Sequence, residues 1–276
     1  MTDHYALFGH PVGHSKSPLI HGWFAEATGA DLDYRAIDVS PQPPAAFADA
    51  VTSFISSGGR GANVTAPFKQ QALTLAGRAS RTARLAGAAN ALRFEHGTIH
   101  TENFDGAGLR RDIESNLDVP MAGLRVLLMG AGGAVRGALL PFLDAAPAEL
   151  VLVERTVAKV EALAAEVGHP SVLHACGYPD LDGMGDFDLV VNATSASLSG
   201  ELPPVPSSVF RESGTAYDLV YGTGSTPFLT LAQRAGVGRL ADGVGMLVEQ
   251  AADSFAWWHG VRPPTRSVIE RLSAAR

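Results

Sequence analysis

Short apolar runs alternate with stretches of helical periodicity from one end of the chain to the other. YALFG, from Tyr5, reads as a strand and SPLIHGWFAEATG as a helix, with Ser17 placed to cap it and Pro18 suited to its first turn. DYRAIDV is a second strand. The span from Ala45 to Ser57 is a helix closed by Gly58-Gly59, and GANVT is a third strand with a helical segment beyond Pro67. ALRFEHGTIHTEN gives two short strands around His96-Gly97, a hairpin turn. From Asp105 to Leu117 the pattern is helical again.

A second series starts at Leu124. LRVLLMG is a near-continuous apolar strand of the kind covered on both faces in a parallel sheet. A Gly-rich turn, a helix, ELVLVER, another helix, SVLHA, DLVVNAT and TAYDLVY follow it. A helix from Pro227 to Arg234, a strand-like GRLADG, the amphipathic MLVEQAADSFAWWHG and a terminal helix RSVIERLSAA complete the chain. Such alternation predicts the α/β class with parallel sheets, and two series predict two domains. The first is an N-terminal α/β domain over 1–104, the second a Rossmann-like, doubly wound domain over 105–243. The last helices, within 244–276, are surplus to the second sheet and are expected to pack back on the first domain, with Trp257-Trp258 in that contact.

Composition narrows the function more than the fold. The 276 residues are 46% hydrophobic and 18% charged, ordinary for a globular protein of one large or two modest domains. The net charge of −7, with no basic run longer than Arg110-Arg111, argues against nucleic acid as a partner and leaves a local pocket for a small anion open. Cys176 is the only cysteine, which excludes an intrachain disulfide and a cysteine-based metal cluster. His10 and His14 are four apart, but Pro11 and Gly13 keep them off one helix face, so no metal is expected. The opening MTDHYALFGH lacks the regions of a signal peptide and no apolar run approaches a membrane span, so a cytoplasmic protein away from membranes is expected.

GAGGA, from Gly130 to Ala134, follows an apolar strand and opens a helix, the place where backbone N–H groups meet a pyrophosphate. Val135 fills the third glycine's place. Taken alone, the motif fits a tight turn with no ligand; with ELVLVER ending the next strand it points to a dinucleotide. At that strand end an acid selects the ribose hydroxyl of NAD, and an arginine accommodates the 2′-phosphate of NADP. The chain offers both, as Glu154 and Arg155.

FGHPVGHSKSPLIH, GANVTAPFK, GAANAL, ENFDGAG and GVGMLVEQAA, in this order and with YDLVY and TPFL ahead of the last, resemble the shikimate dehydrogenase family over nearly the whole chain. The resemblance implies that the first domain holds shikimate and the second NADP. It also implies interconversion of 3-dehydroshikimate and shikimate, toward chorismate and the aromatic amino acids. Lys69 and Asp105 become the catalytic pair. The chemistry agrees: reducing a ketone by hydride leaves a developing alkoxide that needs a proton donor within reach, and a carboxylate orients and tunes a lysine for that task. Alone, Lys69 reads as a solvated surface lysine and Asp105 as a helix cap before Gly106.

The same resemblance implies further site residues. Ser15 and Ser17, before a helix start, suit the substrate carboxylate, with Tyr221 near the same group. Thr65, Asn90 and Gln250, with Asp105, hydrogen-bond the ring hydroxyls, and Asn63 supports them rather than binding substrate. Gly130, Ala131, Gly132, Gly133 and Ala134 line the cofactor's pyrophosphate; Glu154, Arg155, Thr156 and Lys159 meet its ribose end. Asn192, Thr194 and Ser195 pass along it, and Leu219, Gly243 and Met246 frame the nicotinamide.

Two positions depart from the family pattern. Phe104 stands where a threonine is common, removing a hydroxyl beside Asp105. Glu154 stands where an asparagine is usual. It repels a 2′-phosphate if it points inward, and spares it if it turns outward to pair with Arg155 or Lys159. NADP is therefore expected with a weakened preference, and NAD is the alternative. The nearest rival is a quinate/shikimate dehydrogenase using NAD or both cofactors; an aminoshikimate enzyme is a more distant one. Serine at both 15 and 17 leans toward shikimate. A redox sensor that holds NADP without turnover would have no need of the Lys69/Asp105 pair. A monomer or a homodimer fits the sequence equally.

Overall fold

The computed structural model describes residues 2–222 and 224–274. The chain divides into two compact units: one runs through Gly108 and is joined by Leu247–Arg271, the other comprises Leu109–Met246 with the tail from Leu272. The first unit contains strands β1 (Asp3–Gly9), β2 (Leu32–Asp38), β3 (Gly59–Val64), β4 (Arg78–Ala79), β5 (Ala91–Glu95) and β6 (Thr98–Glu102). Between and after them lie helices α1 (Ser17–Thr28), α2 (Ala46–Ser56), α3 (Lys69–Thr74), α4 (Arg81–Ala86) and α5 (Asp105–Arg111).

The sheet order is β2-β1-β3-β5-β6-β4. β1 runs parallel to β2 and β3, whereas β5 is antiparallel to both β3 and β6, so this sheet is mixed rather than parallel throughout. The direction already reverses between β3 and β5, and the hairpin at His96-Gly97 turns β5 back into β6. Both residues have positive φ, 49° and 73°, the geometry whose twist matches that of flanking strands. Phe8, Phe47, Phe54 and Phe68 fill the core on one face, with Phe47 stacked on Phe68 at 4.8 Å. Ser17 does not cap α1. Lys16 holds the cap position, Ser17 is the first helical residue, and its N–H donates to the Ser15 hydroxyl at 3.2 Å.

The second unit carries β7 (Arg125–Met129), β8 (Glu149–Val153), β9 (Leu173–Cys176), β10 (Phe187–Asn192), β11 (Phe210–Asp218) and β12 (Arg239–Asp242). Helices α6 (Gly133–Asp144), α7 (Val157–Glu166) and α8 (Pro227–Arg234) connect them. Every strand pair is parallel and the order is β12-β11-β10-β7-β8-β9, the doubly wound Rossmann arrangement that reverses direction between β7 and β10. Leu127, Leu128, Val151, Leu152 and Val191 have no exposed surface, which is why these strands read as continuous apolar runs.

Two last helices, α9 (Val244–His259) and α10 (Arg266–Ala274), close the described chain; Ala275, the end of the terminal helical reading, lies outside it. From Leu247 onward α9 belongs to the first unit. There Trp258 stacks on Tyr5 at 4.7 Å and donates its indole N–H to the Leu92 carbonyl at 3.0 Å, while Trp257 meets Phe104 edge to face at 5.8 Å. Beyond α5 the helix does not stay regular to Leu117. Asp112–Asn116 form a π-helical turn in which buried Asp112 accepts the Tyr217 hydroxyl at 2.7 Å.

Candidate active site

In the first unit the carboxyl ends of β1 and β3 lie side by side, tied by Thr65 N–H to the Phe8 carbonyl and by His10 N–H to the Ala66 carbonyl. Phe68 is buried in the core, which brings Lys69 to the surface-facing start of α3. Its Nζ donates to Asp105 Oδ2 at 2.7 Å. Asp105 opens α5, yet its carboxylate does not cap that helix; the Asn103 side chain accepts the Asp105 N–H instead. The other carboxylate oxygen, Oδ1, accepts from Asn90 Nδ2 at 2.8 Å. Asn90 also donates to Gln250 Oε1 at 3.2 Å, and its own Oδ1 accepts the Phe104 N–H at 2.9 Å.

Lys69, Asp105, Asn90 and Gln250 thus form one connected group from four segments of the chain. A glycine permits the closest approach. A Cβ on Gly108 would sit 2.7 Å from the Gln250 backbone nitrogen, so α5 and α9 meet only because that position has no side chain. Lys69 keeps a third of its side chain exposed and Asp105 only 13%, so the ammonium remains reachable while the carboxylate is sheltered. The Phe104 ring packs on Trp257, so its substitution for a threonine leaves Asp105 with its two partners in place.

Ser15 and Ser17 sit on the turn after β1, their hydroxyls 3.3 Å apart, with Ser17 buried. Sequence reasoning overlooked what holds this turn. Asp38, at the end of β2, accepts His10 Nδ1 at 2.6 Å and the Val12 N–H at 3.1 Å. The His10 hydrogen bond, then that from Val12, keep the Asp38 carboxyl below its ordinary range. A carboxylate with a lowered folded pKa lends stability above its unfolded value, about 3.9, and loses it as pH falls through the folded one. Asp38→Ala is therefore expected to lower Tm at pH 7, with the gap from the parent closing as pH falls below about 4. Thermal melts across that range check it; a gap independent of pH would mean the charge does not hold the turn.

In the second unit β7 ends at Met129 and Gly130 turns the chain with φ 112°. Gly132 occupies the cap position of α6 with no side chain capping it and no acid in the first turn, so the first N–H groups of the helix are offered outward. A Cβ on Gly132 or Gly133 would meet nothing within 4 Å. Packing within the protein does not demand glycine there; a ligand lying against the backbone would. Ala131 and Ala134 flank these positions half-buried, and Val135 points fully into the core.

At the end of β8, Glu154 is half-buried while Arg155, Thr156 and Lys159 are exposed. Glu154 forms no ion pair with Arg155 or Lys159, and among the described residues neither cation is matched by a carboxylate. Burial first, and then the charge of Glu154, push the Tyr178 hydroxyl up to about 12, which places the acid near that ring.

The β10 loop is organised by two buried groups. Asn192 Oδ1 accepts the N–H of Thr194 at 3.2 Å and its hydroxyl at 2.7 Å, leaving Thr194 and Ser195 on the outer side. Asp218, fully buried and passed over in the sequence, accepts the hydroxyls of Ser197 and Thr226, both at 2.6 Å. Its one visible sign was an acid inside the apolar run of β11. Gly243 lies against Leu219, whose carbonyl oxygen fills the space a Cβ would need, and Met246 is half-buried in the same unit. Tyr221 stands 43% exposed on the loop after β11. Among the described residues no three His, Cys, Asp or Glu side chains are grouped to hold a metal ion.

Residues 7–92 match the shikimate dehydrogenase substrate binding domain and residues 243–272 the shikimate 5′-dehydrogenase C-terminal domain. The shikimate dehydrogenase (NADP(+)) of Chromobacterium violaceum is 50% identical over 274 residues, covering 99% of this chain and 98% of that protein. The crystal structure of an Ael1 enzyme from Pseudomonas putida is 57% identical with a TM-score of 0.94, covering 98% of each chain. That of shikimate 5-dehydrogenase from Thermus thermophilus, in complex with NADP(H) and shikimate, is 30% identical with a TM-score of 0.86 over 100% of both chains.

Proposed function

The chain belongs to the shikimate dehydrogenase family, and from that premise we propose that it reduces 3-dehydroshikimate to shikimate with NADPH, and catalyses the reverse reaction. The observation that carries the reading in this molecule is the Lys69–Asp105 pair with Asn90 on the second carboxylate oxygen. When bound, NADPH supplies a hydride to the ketone carbon. As charge develops on the ketone oxygen, Lys69 Nζ gives it a proton, so the carbonyl becomes a secondary alcohol. Asp105 keeps the ammonium aimed and balances its charge, and solvent reprotonates the exposed Nζ afterwards.

Ser15 and Ser17 take the substrate carboxylate, and Thr65, Asn90 and Gln250 take the ring hydroxyls; Tyr221 is assigned to the carboxylate by family likeness alone. We assign the substrate to the first unit and NADP to the second. The open faces of Gly132 and Gly133 and the uncapped start of α6 fit the pyrophosphate, and Arg155 with Lys159 fits the 2′-phosphate. Asn192 shapes the loop from within, so Thr194 and Ser195 are its contacting residues. No helix among the described residues is long and apolar enough to cross a membrane. We read the acidic net charge as arguing against nucleic acid, and the protein as a cytoplasmic monomer or homodimer.

A kinetic matrix of shikimate and quinate, each with NADP and NAD, tests the reading. The highest kcat/KM is expected for shikimate with NADP. Turnover of quinate with NAD as the best pair would move the protein to the quinate branch, and no turnover in any cell of the matrix would leave only a binding role.

A further inference from the structure

The carboxyl ends of β10 and β11 are tied together by one buried side chain. Asp218, the last residue of β11, has no exposed surface and accepts three hydrogen bonds. Its Oδ2 takes the hydroxyl protons of Ser197 and Thr226, each at 2.6 Å, and its Oδ1 takes the Val220 N–H at 3.1 Å. The Thr226 hydroxyl in turn caps α8 by accepting the Leu229 N–H at 3.2 Å. Ser197 lies in the loop after β10, and its hydroxyl accepts Asn192 Nδ2 at 3.1 Å. The Asn192 amide is oriented from its other side, since its Oδ1 accepts both the N–H and the hydroxyl of Thr194. The donors therefore run one way, from Thr194 to Asn192, from Asn192 to Ser197 and from Ser197 to Asp218.

What this chain of hydrogen bonds supports lies over the crevice of the second sheet. In the order β12-β11-β10-β7-β8-β9 the winding reverses between β7 and β10, where a doubly wound fold leaves its ligand crevice. The Gly-rich turn follows β7, and Glu154 and Arg155 follow β8 on one side of it. With a pyrophosphate at the turn and the adenosine ribose at β8, the other half of a dinucleotide falls on the side of β10 and β11. The β10 loop closes on that turn. A Cβ on Gly130 would stand 3.4 Å from the Ala193 carbonyl oxygen and 3.5 Å from the Thr194 methyl group. Leu219, next to Asp218, donates its N–H to the Asn192 carbonyl at 3.0 Å, so the two loops leave the sheet in register.

We propose that Asp218 is a positioning residue for the nicotinamide half of the cofactor, holding the loop after β10 to the loop after β11 so that Thr194, Ser195 and Leu219 form one fixed wall. The proposal rests on NADP occupying the second unit. Asp218 is fully buried and touches no ligand; it acts through Ser197. An amide cannot take its place. In either orientation of an asparagine a donor meets a donor, at the Val220 N–H on one side or at the Ser197 and Thr226 hydroxyl protons on the other.

Asp218→Asn keeps the shape of the side chain and breaks this pattern. With shikimate saturating, KM for NADP is expected to rise about tenfold. Adenosine 2′,5′-bisphosphate carries the adenosine ribose and its phosphates but no nicotinamide, and its Kd, read by calorimetry, is expected to stay within about twofold. Ser197→Ala leaves Asp218 bonded to Thr226 and Val220; it is expected to raise KM for NADP about fivefold, again without effect on the bisphosphate. In the Asp218→Asn background, Ser197→Ala should cost no more than about twofold further, because the partner it acts through is gone. Equal weakening of NADP and the bisphosphate would mean a general loosening of the second unit and would overturn the proposal. So would an unchanged KM for NADP, or a full penalty from Ser197→Ala in the double variant. Should Asp218→Asn fail to fold, Ser197→Ala decides alone by the same comparison of NADP with the bisphosphate. A parent protein that neither oxidised shikimate nor bound NADP would sink the functional reading; an active parent with both variants unaffected sinks only the role of Asp218.

Discussion

Replacing Lys69 with alanine is expected to lower kcat for 3-dehydroshikimate reduction by roughly 100- to 10,000-fold, the range that a positioned general acid supplies. The geometry gives the reason. Nζ is the cationic donor joined to the connected group of Asp105, Asn90 and Gln250, and the other side chains there are a carboxylate and two amides. The carboxylate accepts in both of its hydrogen bonds, and an amide proton is far too weakly acidic to be given up. The alanine variant leaves Asp105 bonded to Asn90, and its pair was one-third exposed on the lysine side, so the stability lost is on the order of 1 kcal/mol or less. NADPH affinity, read by fluorescence of the bound nicotinamide, should be unchanged, since Lys69 and the Gly-rich turn belong to different units. A variant that kept more than a tenth of the parental kcat would show that the alkoxide takes its proton elsewhere.

The parts of this molecule that were legible in the sequence share a physical cause. β7, β8 and β10 are buried on both faces, and their apolar runs announce it; α8 begins at Pro227 and ends at Arg234, where proline and the turn after it mark both ends. β4 escaped because two residues carry no period. β11 begins at Phe210, five residues before the predicted TAYDLVY, because the polar Arg211, Glu212 and Ser213, the last two exposed, and then Gly214 interrupt its apolar pattern. The π-helical turn at Asp112 is invisible locally, and its buried acid is paired with Tyr217, more than a hundred residues away. The site shows the same division. Lys69, Asp105, Asn90 and Gln250 lie in separate motifs whose order betrays them, and the structure joins all four in one set of hydrogen bonds. Asp38 and Asp218 hold their loops through partners distant in sequence, so each looks like an ordinary residue of its strand.

Arg155→Ala is expected to raise KM for NADP about 10- to 100-fold and to leave KM for NAD within about twofold. A guanidinium on a 2′-phosphate forms charge-assisted hydrogen bonds worth about 1.5–3 kcal/mol, and exposure to solvent and salt trims the value toward the lower end. Arg155 is exposed and unmatched by any carboxylate among the described residues, so nothing must be broken before it meets a phosphate. Lys159 is also exposed, at the third residue of α7, and supplies a second cation that keeps some NADP preference in the variant. Glu154 works against both. It is half-buried at the strand end and forms no ion pair with either neighbour, so it stands as an acid beside the proposed ribose position. Glu154→Asn should therefore raise the ratio of kcat/KM for NADP over NAD by several-fold, and the gain should shrink at high salt, where the repulsion is screened over about 3 Å at 1 M. The two substitutions separate two roles for the arginine. If Arg155→Ala weakened NADP and NAD alike, its plane would be serving the adenine by stacking, and the selection of the phosphate would pass to Lys159. If it weakened NADP alone, the contest at this strand end is one of charge, with Arg155 and Lys159 together outweighing Glu154.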